Sequence, residues 1–168
     1  MNYFELFEIP VQLKLESKSL GEKFFQLSRK FHPDYFVGKE EMEQTEALEK
    51  SALLNKAYRT FQNPDETIKY VLQLKGLLEE EEKYELPPDF LMEVLDINEQ
   101  IMDAGDDPEL KNRLRHQVDN LQSEIYEPVK KIVEYYQEGA TSEKELLQVK
   151  EYYYKKKYLL RIKKQLSV

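Results

Sequence analysis

The chain has 168 residues, of which 40% are hydrophobic and 35% are charged, and its formal net charge at pH 7 is −8. This length suits one domain or two small ones, and the negative charge argues against nucleic acid as the main partner. Because there is no Cys and there are only two His, we expect no disulfide, no metal centre and no cofactor. No apolar run approaches the ~20 residues that span a bilayer, so we expect no membrane association. The N-terminus lacks the features of a signal or transit sequence, so we expect a cytoplasmic protein, with a processed organellar protein as the alternative.

Hydrophobic periodicity predicts a helical hairpin in the N-terminal part of the chain. A short helix is expected between Asn2 and Pro10, and a longer one over residues 17–31, where apolar side chains recur every three or four positions. Pro33 ends that helix, and a loop runs on through Gly38. A second long helix over residues 41–62 carries its own apolar stripe. The two stripes predict an antiparallel pair with the connecting residues at its tip.

A linker is expected to separate this hairpin from a second helical unit. A fourth helix over residues 65–74 is followed by Gly76, a typical helix-ending residue. Residues 77–87 contain a run of glutamates and two prolines, which is typical of an extended spacer. We therefore assign residues 1–76 to the first domain and residues 88–168 to the second.

The second domain is predicted to be a three-helix bundle. The first helix covers residues 88–104, and the second starts at Pro108 and is expected to kink at Pro128. Ser142 and Glu145 have the spacing of a capping box, which marks the start of the last helix. The predicted fold class is thus all-α, with an antiparallel hairpin and short flanking helices in front of a three-helix bundle.

The tip of the hairpin carries the triplet His32, Pro33 and Asp34, which has three interpretations. Catalysis would make His32 a general base oriented by Asp34, but no nucleophile or phosphate-binding loop accompanies the pair. A tight turn alone would account for Pro and Asp. The third interpretation depends on the resemblance given below: the triplet is a contact surface for a protein partner, and Lys23, Arg29 and Lys30 on the preceding helix assist docking.

The helix predicted over residues 88–104 carries two apolar stripes, although one is enough for a bundle. At 100° per residue, one arc facing the core contains Phe90, Val94, Ile97 and Ile101. The surplus stripe contains Leu91, Met92, Leu95 and Met102, and it is bordered by Asp96, Glu99 and Asp103. Such a stripe either packs against the hairpin domain or forms an exposed site for a protein partner.

The last helix contains four tyrosines interleaved with lysines, which has two interpretations. Tyrosines of this kind form stacking platforms for single-stranded nucleic acid in some proteins. The favoured interpretation is that Tyr153 and Leu160 belong to a core stripe, with lysines near the helix C-terminus complementing its dipole.

The order and spacing of Tyr3 to Phe7, the basic helix, the His-Pro-Asp triplet and the helix after it resemble a J-domain. J-domains stimulate ATP hydrolysis by DnaK-type chaperones. Downstream, residues 90–95 and the following helices are similar to the HscB family, the J-type co-chaperones of iron–sulfur cluster assembly. The resemblance covers nearly the whole chain.

This resemblance implies a non-enzymatic co-chaperone with two protein partners, an HscA- or DnaK-type ATPase chaperone and an IscU-type iron–sulfur scaffold. The implied chaperone contacts are His32, Pro33, Asp34, Lys23, Arg29 and Lys30. The implied scaffold contacts are Leu91, Met92, Leu95, Asp96, Glu99, Asp103 and Tyr154. Departures from the family pattern at Tyr35, Thr67 and Ile68 bear on the choice of chaperone. A J-domain co-chaperone for a different client and a non-catalytic helical adaptor are the alternatives.

Overall fold

The computed structural model describes residues 1–167, so the last residue of the predicted bundle lies outside the described residues. The described residues are all-helical and contain no strand. Two short 3-10 turns, Pro33–Phe36 and Glu127–Val129, interrupt the helices. The α-helices are α1 (Tyr3–Phe7), α2 (Ser17–Phe31), α3 (Glu41–Gln62), α4 (Pro64–Leu74), α5 (Pro88–Ala104), α6 (Pro108–Tyr126), α7 (Lys130–Glu134) and α8 (Glu143–Leu166).

The predicted hairpin is formed by α2 and α3. Leu27 and Leu54 are buried between the helices, and the ring of Phe24 stacks on that of Tyr58 with their centroids 3.9 Å apart. The loop predicted after Pro33 is more ordered than expected, because its first four residues form a 3-10 turn. The hairpin therefore ends in a short, hydrogen-bonded tip.

Helix α1 closes one side of the hairpin through aromatic packing. Phe4 and Phe7 are buried against Phe61 of α3, and the backbone N–H of Tyr3 donates a 2.9 Å hydrogen bond to the hydroxyl of Tyr70 in α4. The aromatic residues at the start of the chain thus serve the core of the N-terminal half.

The predicted three-helix bundle is built from α5, α6 and α8. Lys163 of α8 pairs with Asp119 of α6 at 2.6 Å, and Arg115 of α6 donates to the carbonyl of Leu166. Since later residues of α8 meet earlier residues of α6, the two helices run antiparallel. Only three residues connect α5 to α6, and the two helices pack against each other, so they are also antiparallel and α5 runs in the same direction as α8. Phe90 at the start of α5 lies beside Lys155 of α8.

Two details of the predicted bundle are wrong. The expected kink at Pro128 is a break: α6 ends at Tyr126 and a 3-10 turn leads into α7, because Pro lacks the N–H that would continue the helix. Leu160 is 42% exposed, whereas Leu159 is fully buried. The face of α8 that holds Tyr153 is covered by the N-terminal half, but this cover ends before Leu160, where only the bundle core remains.

Helix α8 belongs to both halves of the molecule. Its first half shares one apolar cluster with residues of α1 to α4, and Tyr152 and Tyr153 lie buried in that cluster. Two ion pairs also join the N-terminal half to the bundle half: Lys156 of α8 pairs with Asp65 at 2.8 Å, and Glu138, which precedes α8, pairs with Lys75. The two halves are therefore packed together. The boundaries predicted at residues 77–87 stay a prediction, although no helix forms there.

The segment predicted as a linker lies along α8 instead of standing free. Leu78 is buried, Glu82 pairs with Lys150 at 2.7 Å, and the ring of Tyr84 stacks on that of Tyr154 with centroids 4.5 Å apart. This arrangement places the segment next to the scaffold-contact residues implied by the sequence. None of the helices within residues 1–167 has both the length and the apolar character needed to cross a membrane.

Candidate partner-binding sites

The His-Pro-Asp triplet forms an exposed turn at the tip of the α2–α3 hairpin. Helix α2 ends at Phe31 because Pro33 follows two residues later, and His32 takes an extended conformation. The backbone N–H of Asp34 donates a 3.2 Å hydrogen bond to Nδ1 of His32, so the histidine caps the 3-10 turn. This bond orients the imidazole, and both His32 and Asp34 remain accessible to a partner.

Of the three basic residues expected beside this turn, two lie close to it. Arg29 and Lys30 are exposed in the last turn of α2, and the Arg29 guanidinium carbon lies 4.7 Å from the ring centroid of Phe25. Lys23 is two turns further back, half-buried, and its Nζ lies 3.5 Å from a carboxylate oxygen of Glu8. The structure thus groups Arg29 and Lys30 with the turn and assigns Lys23 an ion pair with the residue that follows α1.

A cleft beside the turn was not expected from the sequence. It has a volume of 510 Å³. The largely exposed rings of Phe25 and Tyr35 both line it. A further aromatic contact joins Tyr35 to His32. The complete lining is Phe25, Ser28, Arg29, His32, Asp34 and Tyr35. The turn therefore offers a partner apolar and cationic surface as well as the polar triplet.

The two residues of α4 that depart from the family pattern, Thr67 and Ile68, contribute to the packing of the core. Thr67 and Ile68 are both buried, and the Thr67 hydroxyl donates to the carbonyls of Asn63 and Thr60 at 3.0 and 3.2 Å. These two side chains are therefore inaccessible to a chaperone. Tyr35 is the departure that remains exposed at the tip.

Helix α5 has one buried and one exposed apolar face. Phe90, Val94 and Ile97 are buried in the bundle core, as the helical periodicity predicts. Leu95 is 59% exposed and Met92 is 71% exposed, so the surplus stripe does not pack against the hairpin. The same face also carries exposed Leu91 and Met102. Exposed apolar groups of this extent on one helix face are typical of a protein-binding surface.

The acidic residues expected beside this stripe are also exposed. Asp96, Glu99 and Asp103 all lie at the surface of α5, and the Gln100 amide donates a 3.0 Å hydrogen bond to the Asp96 carboxylate. From Leu91 to Asp103 the helix rises about 18 Å, at 1.5 Å per residue. The α5 face is thus an elongated apolar strip with acidic residues along it.

Tyr154 is the one predicted scaffold contact on α8, and it lies near the start of the strip. It is half-buried, its ring stacks on Tyr84, and it lines the same groove as Leu91. Burial raises the pKa of its hydroxyl above the ordinary value. Tyr154 therefore joins the Leu91 end of the site, whereas Asp103 lies several turns away.

The groove beside Tyr154 contains residues that the sequence analysis missed. It lies between residues 82–86 and α8 and has a volume of 610 Å³. Besides Leu91 and Tyr154, its lining includes Tyr84, Leu86, Lys157, Tyr158 and Arg161. Residues 82–86 gave no signal because they have no helical or strand periodicity.

The buried tyrosines of α8 exclude part of the nucleic-acid interpretation. Tyr152 and Tyr153 lie in the core, so these two rings are unavailable for stacking on bases.

Among residues 1–167, no group of three or more His, Asp or Glu side chains has an arrangement that could hold a metal ion.

Comparison with known proteins gives relatives for both halves of the chain. A family model described as the HSCB C-terminal oligomerisation domain matches residues 86–167. The co-chaperone protein HscB homolog of Vibrio cholerae serotype O1 is 37% identical over 112 residues, covering 65% of this chain and 66% of that protein. The homolog of Photobacterium profundum is 36% identical with the same coverage. These alignments thus span just under two thirds of the relatives' length.

Two solved structures share the fold. The chaperone HscB from Vibrio cholerae superposes with a TM-score of 0.74 at 28% identity, covering 99% of this chain and 96% of that one. The human co-chaperone protein HscB superposes with a TM-score of 0.80 at 26% identity, covering 99% of this chain and 81% of that one. The similarity therefore extends over both the hairpin and the bundle.

Proposed function

The chain belongs to the HscB family of co-chaperones, and on that premise we propose that it joins an IscU-type scaffold to an HscA- or DnaK-type chaperone. In this role it binds the scaffold through α5 and stimulates ATP hydrolysis by the chaperone through the tip of the hairpin. The chain itself catalyses no reaction and holds no cofactor; the iron–sulfur cluster is cargo on the scaffold. The cytoplasmic location expected from the sequence stays a prediction.

The geometry of the tip supports the role proposed for it. His32 and Asp34 are exposed and held by a backbone hydrogen bond, which suits recognition by a partner. A general base is normally held close to its substrate in a pocket. Arg29 and Lys30 supply positive charge beside the triplet, which would orient an acidic surface of the chaperone during association.

The exposed apolar face of α5 is the observation that carries the proposal for the scaffold. A monomer gains nothing in stability from leaving Leu95 and Met92 in water, so their exposure favours a binding function. Methionine adapts easily to the shape of a partner. The acidic residues along the strip would select a partner with basic residues around an apolar centre.

Placing both sites on one chain would make the co-chaperone a tether. Helix α8 packs against the N-terminal half and also supports α5, so the two sites are joined through packed helices. A chaperone bound at the tip would therefore meet the scaffold at a high effective concentration.

A single-turnover ATPase assay with an HscA- or DnaK-type chaperone tests this function. We expect the chain alone to accelerate hydrolysis, and the chain with an IscU-type scaffold to accelerate it further. Stimulation without any effect of scaffold would favour a J-domain co-chaperone for another client. No stimulation of the chaperones tested would favour a helical adaptor and contradict the proposal.

A further inference from the structure

The groove next to Tyr154 is continuous with the apolar strip on α5. Leu91 is the link, because it belongs to the strip and also lines the groove. Residues 82–86 form one side of the groove and α8 the other. The ring of Tyr84 from the first side stacks on that of Tyr154 from α8, and their planes differ by 5°. A partner lying along α5 would therefore also contact this groove at Leu91.

The wall formed by residues 82–86 is fixed in place. Lys150 of α8 pairs with Glu82 at 2.7 Å, and both side chains are mostly buried. The hydrogen bond from Lys150 lowers the pKa of Glu82 below its ordinary value, so the pair favours the ionised carboxylate. The groove thus exists before a partner binds, and its shape can contribute to selectivity.

The charge of the groove is opposite to that of the α5 strip. Because Glu82 is neutralised by Lys150, the remaining ionisable groups at the groove are Lys83, Lys157 and Arg161 against Glu85. Within the part of the chain that the structure describes, Lys157 and Arg161 form no ion pair. Excess positive charge here is notable in a chain with a net charge of −8.

We propose that this groove is a second part of the scaffold-binding site, and that it takes an acidic segment of the scaffold. This inference rests on the proposed function. The scaffold would place basic residues against Asp96, Glu99 and Asp103, apolar residues against the strip, and acidic residues against Lys157 and Arg161. Charges of opposite sign at the two sides fix the orientation in which the scaffold docks, because the reversed orientation would oppose like charges.

The test is a calorimetric titration of the full-length chain with a purified IscU-type scaffold. Arg161→Glu should weaken binding by on the order of tenfold, a loss typical of replacing an attractive contact with a repulsive one. Lys144→Glu is the matched control: it makes the same change in net charge at an exposed position on the same helix, about 25 Å away along the helix. A second variant, Tyr84→Ala, should also weaken binding because it removes one of the two stacked rings that line the groove. Thermal melts of all variants establish that they are folded.

The outcomes separate this inference from the proposed function. Loss of affinity in Arg161→Glu with wild-type affinity in Lys144→Glu supports the groove. Equal changes in both variants would overturn it, because total charge would then account for the effect. Wild-type affinity in Arg161→Glu, together with a loss when the apolar residues of α5 are replaced, would overturn the groove and leave the α5 site intact. A wild-type chain that does not bind the scaffold would overturn both.

Discussion

The tip of the hairpin and the exposed face of α5 are built in different ways. The tip is made of consecutive residues, and one hydrogen bond between His32 and the backbone of Asp34 sets its shape. The α5 site combines α5 with residues of α8 and of the segment after α4, and it exists only when the bundle is packed. The comparison teaches that a short local motif is suited to triggering a partner, whereas a broad apolar surface is suited to holding one.

The largest expected effect comes from changing the tip, and it would separate the triggering role of the tip from the holding role of the α5 surface. His32→Gln should abolish stimulation of chaperone ATP hydrolysis, because it replaces the central side chain of the triplet. Scaffold affinity and thermal stability should stay at wild-type values, since His32 is exposed and distant from the core. The measurement is single-turnover hydrolysis, with His116→Gln as the matched control at an exposed position of α6. Full stimulation by folded His32→Gln would remove the triplet from the mechanism.

The next effect concerns the two faces of α5. The triple variant Leu91→Ala, Met92→Ala and Leu95→Ala should weaken scaffold binding at least about a hundredfold, since each residue of a hot spot contributes roughly 1–2 kcal/mol. Leu110→Ala, which removes an exposed leucine from α6, should leave affinity unchanged. Calorimetric titration measures both.

A stability measurement shows whether the two faces differ as the structure indicates. Ile97→Ala should lower the free energy of unfolding by roughly 2–5 kcal/mol because it opens a cavity in the core. The triple variant should unfold close to the wild-type temperature. If the triple variant melted as early as Ile97→Ala, the exposed face would be part of the core and the comparison would fail.

A smaller effect is expected from the charges beside the tip. Reversing Arg29 and Lys30 to Glu should lower the association rate with the chaperone by roughly tenfold at low salt, and less at high salt, because exposed charges are screened over ~8 Å at physiological ionic strength. The control is the reversal of the exposed pair Lys130 and Lys131 in α7. Stopped-flow association rates measure the effect. If the association rate changed neither with salt nor with charge reversal at Arg29 and Lys30, these two residues would have no role in docking.

The smallest expected effect is a pH dependence of the free energy of unfolding, which arises from Glu82 in the segment between α4 and α5. The pKa of Glu82 is lowered from 4.5 by its hydrogen bond with Lys150, so its stabilising contribution is complete above pH 4.5 and is lost as the pH falls through the folded-state value. The loss should not exceed about 1 kcal/mol, because both side chains, although mostly buried, keep some contact with water, which screens the pair. Denaturant unfolding measured between pH 6 and pH 3 should show this loss of unfolding free energy in the wild type, and the loss should be absent in Lys150→Met. Identical pH curves for the two proteins would show that the ion pair contributes no stability.

Local sequence patterns predicted the helices and the position of part of each candidate site. The bounds of α2 followed from its apolar spacing and from Pro33, and the exposed stripe of α5 followed from the helical period. Leu160 was misplaced because the burial of α8 changes along its length: its first half packs against the N-terminal half and its second half against α5 and α6. Periodicity describes one helix and cannot show where a covering element ends.

The groove beside Tyr154 could not be predicted from the sequence, because it forms between segments that are far apart in the chain. Tyr84 lies in a segment without periodicity, and its role depends on stacking against Tyr154, seventy positions later in the chain. Arg161 reads as an ordinary solvated residue until residues 82–86 are placed beside it. The cleft beside His32 was missed for the same reason, because Phe25 of α2 and Tyr35 of the 3-10 turn line one cleft only in the folded chain.

The central claim is that the two surfaces act together on one chain, and a mixing experiment tests it most directly. The His32→Gln variant retains only the α5 surface, and the triple α5 variant retains only the tip. With limiting scaffold, the wild-type chain should give the full scaffold-dependent acceleration of single-turnover ATP hydrolysis by the chaperone. An equimolar mixture of the two variants should give only the acceleration that the triple variant gives alone. Recovery of the wild-type rate by the mixture would show that the surfaces act independently and would contradict the account.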